Sequence, residues 1–402
     1  MVDYQYIFNQ AGLLKFLDEI AKETWIAYDT EFISEGRYQP ELCLVQVATS
    51  RGDYILDALR INDMTPFWER ICKDDITTIA HACRSELEFC YRAVHKLPPR
   101  IFDVQLAAAF IGMGYPLSLK KLAQEIANVK LEKTETLTDW RIRPLLNSQI
   151  QYALDDVRHL KKMSDSLTRS LEKAGRQGWY AEEIHNYCEE LKKVFDEEGW
   201  RRISGSKRCS RDELSILREL WRWRRDKARA RNLAPSKVFR DDLILAVAKQ
   251  KTVNPERIAV IRGIRGLPSS PFVRELAECV AKGLAVPDDE KPETENDDYP
   301  LYQIACQLVG VLLTQYCARH NMSYGLFATS LDVRRAIANY EGKLPKYDRD
   351  KLSAGWRAEF LGDFLTNVLH GKYAMRLTSD LEGDSLQLLD ISDVDLKDAI
   401  EK

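Results

Sequence analysis

The chain has 402 residues, 45% of them hydrophobic and 30% charged, with a formal net charge of −3. That is the composition of a soluble globular protein, too long for one ordinary core and long enough for two or three domains. No apolar run approaches the ~20 residues that span a bilayer, and the opening MVDYQYIFNQ has neither a basic start with an apolar core nor a small-residue cleavage site, so membrane insertion and secretion are set aside and a cytoplasmic protein is expected.

The first 110 residues alternate short β-rich runs with helical patterns. TWIAYDTEF (24–32), LCLVQVAT (42–49), DYILDAL (53–59), DITTIAH (75–81) and RIFDVQ (100–105) read as strands. The stretches around Asn9 to Lys22, Thr65 to Cys72 and Ser85 to His95 read as helices. Such alternation predicts an α/β layer architecture. Beyond about Tyr115 the strand signal vanishes and helical periodicity runs to the end. ISGSKRCS (203–210), small, polar and glycine-containing, reads as a domain joint. Two helical blocks follow, roughly 209–285 and 297–376, separated by PDDEKPETENDD.

Charge is unevenly spread along this pattern. From Ser206 to Gly266, 17 Lys and Arg stand against 7 Asp and Glu, a local balance of +10 that suits a polyanion. Pro287 to Pro300 has 7 acidic residues to 1 basic, and Ser379 to Lys402 has 8 to 2; these predict a solvated linker and a weakly structured tail. The nine cysteines contain no C-x-x-C pair and the six histidines are scattered, which points to buried thiols in a reducing compartment and away from a disulfide frame or a zinc site.

Three short motifs carry chemistry. In W-I-A-Y-D-T-E-F the period of two puts Asp29 and Glu31 on one face of one strand. Two adjacent negative charges repel unless a cation neutralises them, although a D-x-E on a strand is more ordinarily a solvated pair. H-A-C-R-S-E-L-E-F-C (81–90) closes a strand and opens a helix, so Glu86 falls in a first turn whose backbone N–H groups favour negative charge; an unremarkable helix carboxylate would look the same. In N-S-Q-I-Q-Y-A-L-D-D-V-R-H-L (147–160), Asn147 is the expected N-cap, and Ile150, Ala153, Leu154, Val157 and Leu160 follow a helical repeat. There Tyr152 and Asp156, four apart, stack on one face. A half-buried tyrosine beside a surface aspartate is the plainer alternative.

Taken in order, D-T-E-F (29–32), Y-x-P-x-L-x-L-x-Q (38–46), H-A-C-R-S-E-L-E (81–88), F-D-V-Q (102–105), S-L-K-K-L-A (118–123), D-W-R-I-R-P-L (139–145) and Y-A-L-D-D-V (152–157) resemble the DEDDy 3′→5′ exonuclease superfamily, and within it the ribonuclease D family. L-R-E-L-W-R-W-R-R-D-K-A-R-A-R-N-L-A-P-S-K-V-F (217–239) with D-D-L-I-L-A-V-A (241–248) resembles an HRDC module, and S-Y-G-L-F-A-T-S (323–330) with L-S-A-G-W-R-A-E-F-L-G-D-F-L (352–365) resembles the family's more divergent second HRDC-like region. The resemblance implies an α/β ribonuclease H-like exonuclease domain, a mixed sheet flanked by helices, over 1–205. It further implies all-α HRDC-like domains over 209–285 and 297–376, and leaves 377–402 as an acidic C-terminal tail.

The same resemblance implies a catalytic set of Asp29, Glu31, Glu86, Tyr152 and Asp156. Four carboxylates suit two hard divalent ions, Mg²⁺ or Mn²⁺, with Asp29 bridging, Glu31 and Asp156 completing the first and Glu86 helping to hold the second, while Tyr152 orients the attacking water. One departure stands out. The family has an aspartate where this chain has Glu86, and an extra methylene matters in a site where ~1 Å of misplacement costs about 10²-fold in rate. The implied activity is release of 5′-nucleoside monophosphates from RNA with a free 3′ end, such as tRNA precursors, with no membrane and no obligatory protein partner. A DNA 3′→5′ exonuclease, or a non-catalytic or weakly active RNA-binding protein on an exonuclease fold, are the alternatives. Arg222, Arg224, Arg225, Lys227, Arg229 and Arg231 are expected to form a ridge for phosphates, and Trp221 and Trp223, two apart, to be partly buried and not to share a face.

Overall fold

The structure is a computed structural model that describes residues 3–131, 138–196, 199–294, 302–344, 349–378 and 386–392. The end of the predicted linker and most of the predicted tail lie outside the described residues.

The first third forms one mixed sheet. Its elements are β1 (Tyr4–Ile7), α1 (Gln10–Glu19), β2 (Trp25–Ile33), β3 (Glu41–Thr49), β4 (Gly52–Asp57), α2 (Thr65–Ile71), β5 (Thr77–Ala80), α3 (Arg84–Val94) and β6 (Ile101–Asp103). Strand order is β1-β4-β3-β2-β5-β6. The β2/β3 and β3/β4 pairs are antiparallel, and β1/β4, β2/β5 and β5/β6 are parallel. Covered on both faces, β2 and β3 read as apolar runs without strict alternation: Ile26, Ala27, Tyr28 and Cys43 to Val47 are all buried. β1 carries polar residues and gives no apolar signal of its own. RIFDVQ splits, because β6 ends at Asp103 and α4 (Val104–Phe110) begins at the next residue.

Helices dominate the rest: α5 (Leu119–Leu122), α6 (Asn147–Arg158), α7 (Leu160–Lys173), α8 (Gln177–Asp196), α9 (Arg211–Arg231), α10 (Pro235–Val238), α11 (Asp241–Gln250), α12 (Pro255–Ala259), α13 (Pro271–Leu284), α14 (Gln303–Arg319), α15 (Tyr324–Phe327), α16 (Ser330–Tyr340), α17 (Gly355–Leu361) and α18 (Phe364–Leu369). The expectation of helix to the very end is corrected by β7 (Tyr373–Leu377) and β8 (Leu386–Asp390), an antiparallel pair in which Tyr373 faces Asp390 and Leu377 faces Leu386. The β8 residues fall inside the segment expected to be weakly structured; Leu386, Leu388 and Leu389 give it an apolar content that the net charge of the tail conceals. In the stretch 203–210, expected as a domain joint, Ile203, Ser206 and Cys209 are buried, and Ile203 and Cys209 belong to an apolar core.

Two compact units account for these elements. One comprises Met1–Asp103, Val129–Lys162 and Asn186–Asp297. Within it α9 and α13 approach so closely that a Cβ on Gly283 would lie 2.5 Å from the Ile216 Cα. Leu217, Leu220, Ile244, Val247, Leu276 and Val280 fill the core beside them. The other comprises Val104–Asn128, Met163–His185 and Asp298–Lys402. Its centre is aromatic, with Phe110, Phe327 and Phe360 around Trp356 or one another. Arg357 pairs with Glu183 at 2.8 Å, and Arg176 donates to the Phe110 and Asn321 carbonyls.

The lead-in to α6 is pinned by a buried ion pair. Arg143 Nε and Nη2 donate to the two oxygens of Asp57 at 2.8 Å each, and Tyr6 Oη donates to Asp57 Oδ2 at 2.6 Å. Burial alone would push the Asp57 carboxyl up; the hydrogen bonds from Arg143 and Tyr6 outweigh it and hold the group below the usual carboxylate range. A depressed carboxyl contributes stability that is present above its unfolded pKa and lost as pH falls through its folded one. Asp57→Ala, which strands Arg143, should therefore cost about 3–5 kcal/mol in urea unfolding at pH 7, and the deficit relative to wild type should shrink once the pH drops below about 4.

Candidate active site

Asp29 and Glu31 stand on β2, where β3 pairs with their stretch and β5 pairs with Trp25–Ala27 just before it. Directly across from Asp29 lies Gln46 on β3. Its amide donates to Asp29 Oδ2 at 3.1 Å, while its own Oε1 is buried without a hydrogen-bond partner among the described residues. A register shift between Glu31 and Phe32 ends the regular pairing just beyond the second carboxylate.

The third carboxylate arrives on α6. Ala153 and Leu154 pack with Cys43, Leu44 and Ile55 of β3 and β4, which fixes how the helix is rotated and where Tyr152 and Asp156 sit. Its start differs from expectation by one residue: Asn147 is the first helical residue and Leu146 the cap position. The orphan amide there is satisfied by Gln149, whose side chain accepts from Leu146 N–H at 2.8 Å and donates to Thr138 at 2.9 Å. The Tyr152 ring lies 6.1 Å from that of Trp140.

Glu86 comes in on α3. This helix follows Ala82, which holds a left-handed φ of 55°. Asp103, at the end of β6, accepts from the Ala82 N–H at 3.2 Å and the Cys83 N–H at 2.9 Å and so anchors the strand-to-helix turn. Glu86 is 3% exposed, and Thr30 Oγ1 donates to its Oε1 at 2.7 Å.

These placements divide the acidic residues unequally. Ligand atoms of Asp29, Glu31 and Asp156 lie within 4.8 Å of one another, half-buried. Glu86 lies outside that trio, hydrogen-bonded to Asp29 and Thr30. Burial, then the neighbouring charges of Asp29, Asp156 and Glu86, pushes Glu31 up to about 9. Burial followed by Asp29 pushes Asp156 up to about 8, and burial raises Asp29 as well. For Glu86, burial and then the Asp29 charge drive the carboxyl well above its ordinary range. The Tyr152 phenol is raised by burial, Asp156, Glu31 and Asp29.

Such a trio fits a hard divalent cation. Its donors are all carboxylate oxygens, their mutual repulsion is what a cation would relieve, and an unpartnered buried amide oxygen stands beside them. Three participants are not singled out by the sequence pattern. Thr30 is there only the spacer of D-T-E, and Gln46 and Asp103 are only letters of longer motifs, because their contacts depend on strand register.

The expected basic ridge is thinner than the composition suggests. Arg224 is buried, donating to the Phe239 carbonyl at 2.9 Å and to Asp241 at 2.5 Å, which corrects its place on a phosphate-facing surface. Arg222 pairs with Glu219, Arg225 with Asp226, and Lys227 with Glu275. Arg229 and Arg231 remain exposed. Trp221 and Trp223 are partly buried against the helical core, as expected.

Carboxyls raised by folding stabilise the protein below their unfolded pKa, and that contribution is lost as pH climbs through the folded values near 8 and 9. In chelator at pH 8, Asp156→Asn should therefore be more stable than wild type, by roughly 1 kcal/mol in thermal or urea unfolding. Millimolar Mg²⁺ or Mn²⁺ should reverse the order by stabilising only the wild type; a variant that is less stable in chelator would remove the repulsion argument.

Comparison with known proteins places the chain in a family. Residues 4–172 match the family model described as 3′-5′ exonuclease, and residues 213–280 match the HRDC domain. The chain is 30% identical over 383 residues to ribonuclease D of Nitrobacter hamburgensis, covering 92% of this chain and 96% of that one. It is 31% identical over 378 residues to ribonuclease D of Pseudomonas paraeruginosa, with 91% and 98% covered. The crystal structure of Escherichia coli RNase D superposes with a TM-score of 0.76 at 28% identity, over 92% of this chain and 99% of the other. With a ribonuclease H-like mixed sheet, an HRDC domain and near end-to-end likeness to these enzymes, the chain belongs to the ribonuclease D family of 3′→5′ exoribonucleases.

Proposed function

We propose that the protein hydrolyses RNA from a free 3′ hydroxyl end by two-metal-ion catalysis, releasing 5′-nucleoside monophosphates, and that it trims structured RNA such as tRNA precursors in the cytoplasm. The observation that carries this reading is the meeting of Asp29, Glu31 and Asp156 within 4.8 Å. Asp29, Glu31 and Asp156, with Glu86, would hold two Mg²⁺ or Mn²⁺ ions, which when bound supply Lewis acidity to the attacking water and to the phosphate. Tyr152 stays a neutral phenol throughout the physiological range, since its environment only raises its pKa. It therefore donates or accepts a hydrogen bond to position the water and does not take its proton. Thr30 and Gln46 hold Glu86 and Asp29 in place.

The choice of RNA is supported by the relatives, among them the E. coli enzyme described as an exoribonuclease involved in structured RNA processing, and by the +10 balance between Ser206 and Gly266. In domain terms we assign 1–205 to the exonuclease, 209–285 to an HRDC domain, 297–376 to a second HRDC-like domain and 377–402 to the tail.

Glu86 favours a second reading. Its carboxyl is engaged with Thr30 and Asp29 and stands apart from the trio, as in a weakly active or non-catalytic RNA-binding protein. Digestion of 3′-labelled RNA and DNA of one sequence, with Mg²⁺ or Mn²⁺, separates the possibilities. Stepwise loss of mononucleotides from RNA is expected, lowered on the order of 10³-fold by Asp29→Asn and about 10²-fold, mainly in kcat, by Tyr152→Phe. Faster digestion of DNA, or internal cleavage, would overturn the assignment. RNA retardation without mononucleotide release, cured by Glu86→Asp, would establish the second reading.

A further inference from the structure

Two thiols that the hydrolytic reaction does not use lie against each other behind the sheet. Cys72 follows the last residue of α2, where its backbone N–H donates back to the Arg70 and Trp68 carbonyls; Cys90 lies on α3. Their sulfurs are 3.4 Å apart. Bonded sulfurs stand about 2.05 Å apart, so closure requires an approach of about 1.3 Å, within the reach of side-chain torsion changes. Cys90 is fully buried and its Sγ also donates to the Lys96 carbonyl at 3.4 Å. Cys72 is partly exposed, so one member of the pair can be reached from solvent and the other cannot. The end of α2 is held by the buried Phe67, Trp68 and Ile71, which keeps the two sulfurs facing.

We propose that Cys72 and Cys90 form a reversible oxidation site, in which a peroxide oxidises Cys72 and Cys90 then resolves it to a disulfide that ties α2 to α3. The roles follow from access: a peroxide can reach Cys72 from solvent and cannot reach Cys90. The contact between the two sulfurs, with nearby Lys96, lowers the Cys72 thiol despite its partial burial; the same contact, with burial, raises Cys90. Cys72 is thus the readier thiolate.

In the first step the Cys72 thiolate sulfur attacks one peroxide oxygen, the O–O bond breaks, hydroxide leaves and a sulfenic acid forms. In the second, the Cys90 sulfur attacks the Cys72 sulfur, an S–S bond forms, the S–O bond breaks, and the Cys90 proton leaves with the hydroxyl as water. Counting the proton first lost by Cys72, two thiols and one peroxide give one disulfide and two waters. The cysteine sulfurs are oxidised and the peroxide is reduced. α3 also carries Glu86, four residues before Cys90 on the same helical face, so the cross-link would act on the helix that reaches the acidic site.

The test uses the full chain, treated with a small excess of hydrogen peroxide and then unfolded for thiol counting and peptide mapping. Free thiols should fall from nine to seven, with the peptides bearing Cys72 and Cys90 joined, and dithiothreitol should restore nine. Cys72→Ser should keep all eight of its remaining thiols under the same dose, and Cys90→Ser should hold Cys72 as a sulfenic acid that dimedone traps. Wild-type mapping stands alone should either variant fold poorly. Cross-linking of a different pair, oxidation of Cys72 beyond the sulfenic acid with Cys90 still free, or no thiol loss at all would overturn the proposal.

Discussion

Like charges confined together are the constraint on which this molecule turns. Three carboxylates within 4.8 Å, partly shielded from water, repel one another at a cost that would normally turn their side chains outward. They cannot turn far. Asp29 and Glu31 project from β2, paired with β3 at both positions and with β5 just before them, and Asp156 projects from a helix whose apolar face is packed on β3 and β4. The burial that raises these carboxyls is therefore imposed by the sheet and its covering helix. A site of this kind is stable as a scaffold and unsatisfied as an electrostatic object, which is the condition in which a hard cation binds well.

Glu86 shows how such a site relaxes where it can. A fourth full negative charge beside Asp29 would deepen the repulsion, and burial favours a neutral carboxyl there. The longer side chain accepts from the Thr30 hydroxyl at 2.7 Å and hydrogen-bonds with Asp29. That arrangement offsets part of the charge on Asp29 by hydrogen bonding, the same task a cation performs more completely. The glutamate is thus placed to compete with a cation for Asp29, and its reach is set by one methylene and by the Asp103 anchor that fixes the start of α3.

Much of this can be read from the chain because the decisive features are local. Period two on β2 puts Asp29 and Glu31 on one face, and the four-residue spacing on α6 puts Tyr152 above Asp156; both follow from backbone geometry alone. What fails to show depends on neighbours distant in sequence. Gln46 meets Asp29 only through the β2/β3 register. Asn147 has the chemistry of a cap, but Gln149 takes the orphan amide. Arg224 has the look of surface charge, yet 17 residues on, Asp241 and the Phe239 carbonyl draw it inward. β1 escapes notice because its residues alternate between polar and aromatic without an apolar run, and β8 because the charge of its surroundings masks its leucines.

The basic helical region is tied to the acidic strand by a short backbone link. The loop after β2 presents Gly36 at a φ of 74°, a left-handed conformation that glycine adopts without strain. Its carbonyl accepts from Ala234 N–H at 3.1 Å, and Gln39 N–H donates to the Asn232 side chain at 3.3 Å. Asn232 is the residue after α9, next to Arg231, which with Arg229 remains exposed once the other basic residues of that helix are paired or buried. Positive charge at the end of α9 is therefore registered against the strand that carries Glu31, five residues before Gly36. Local pairing removes most of the helix's long-range field, and what remains sits where the backbone link holds it.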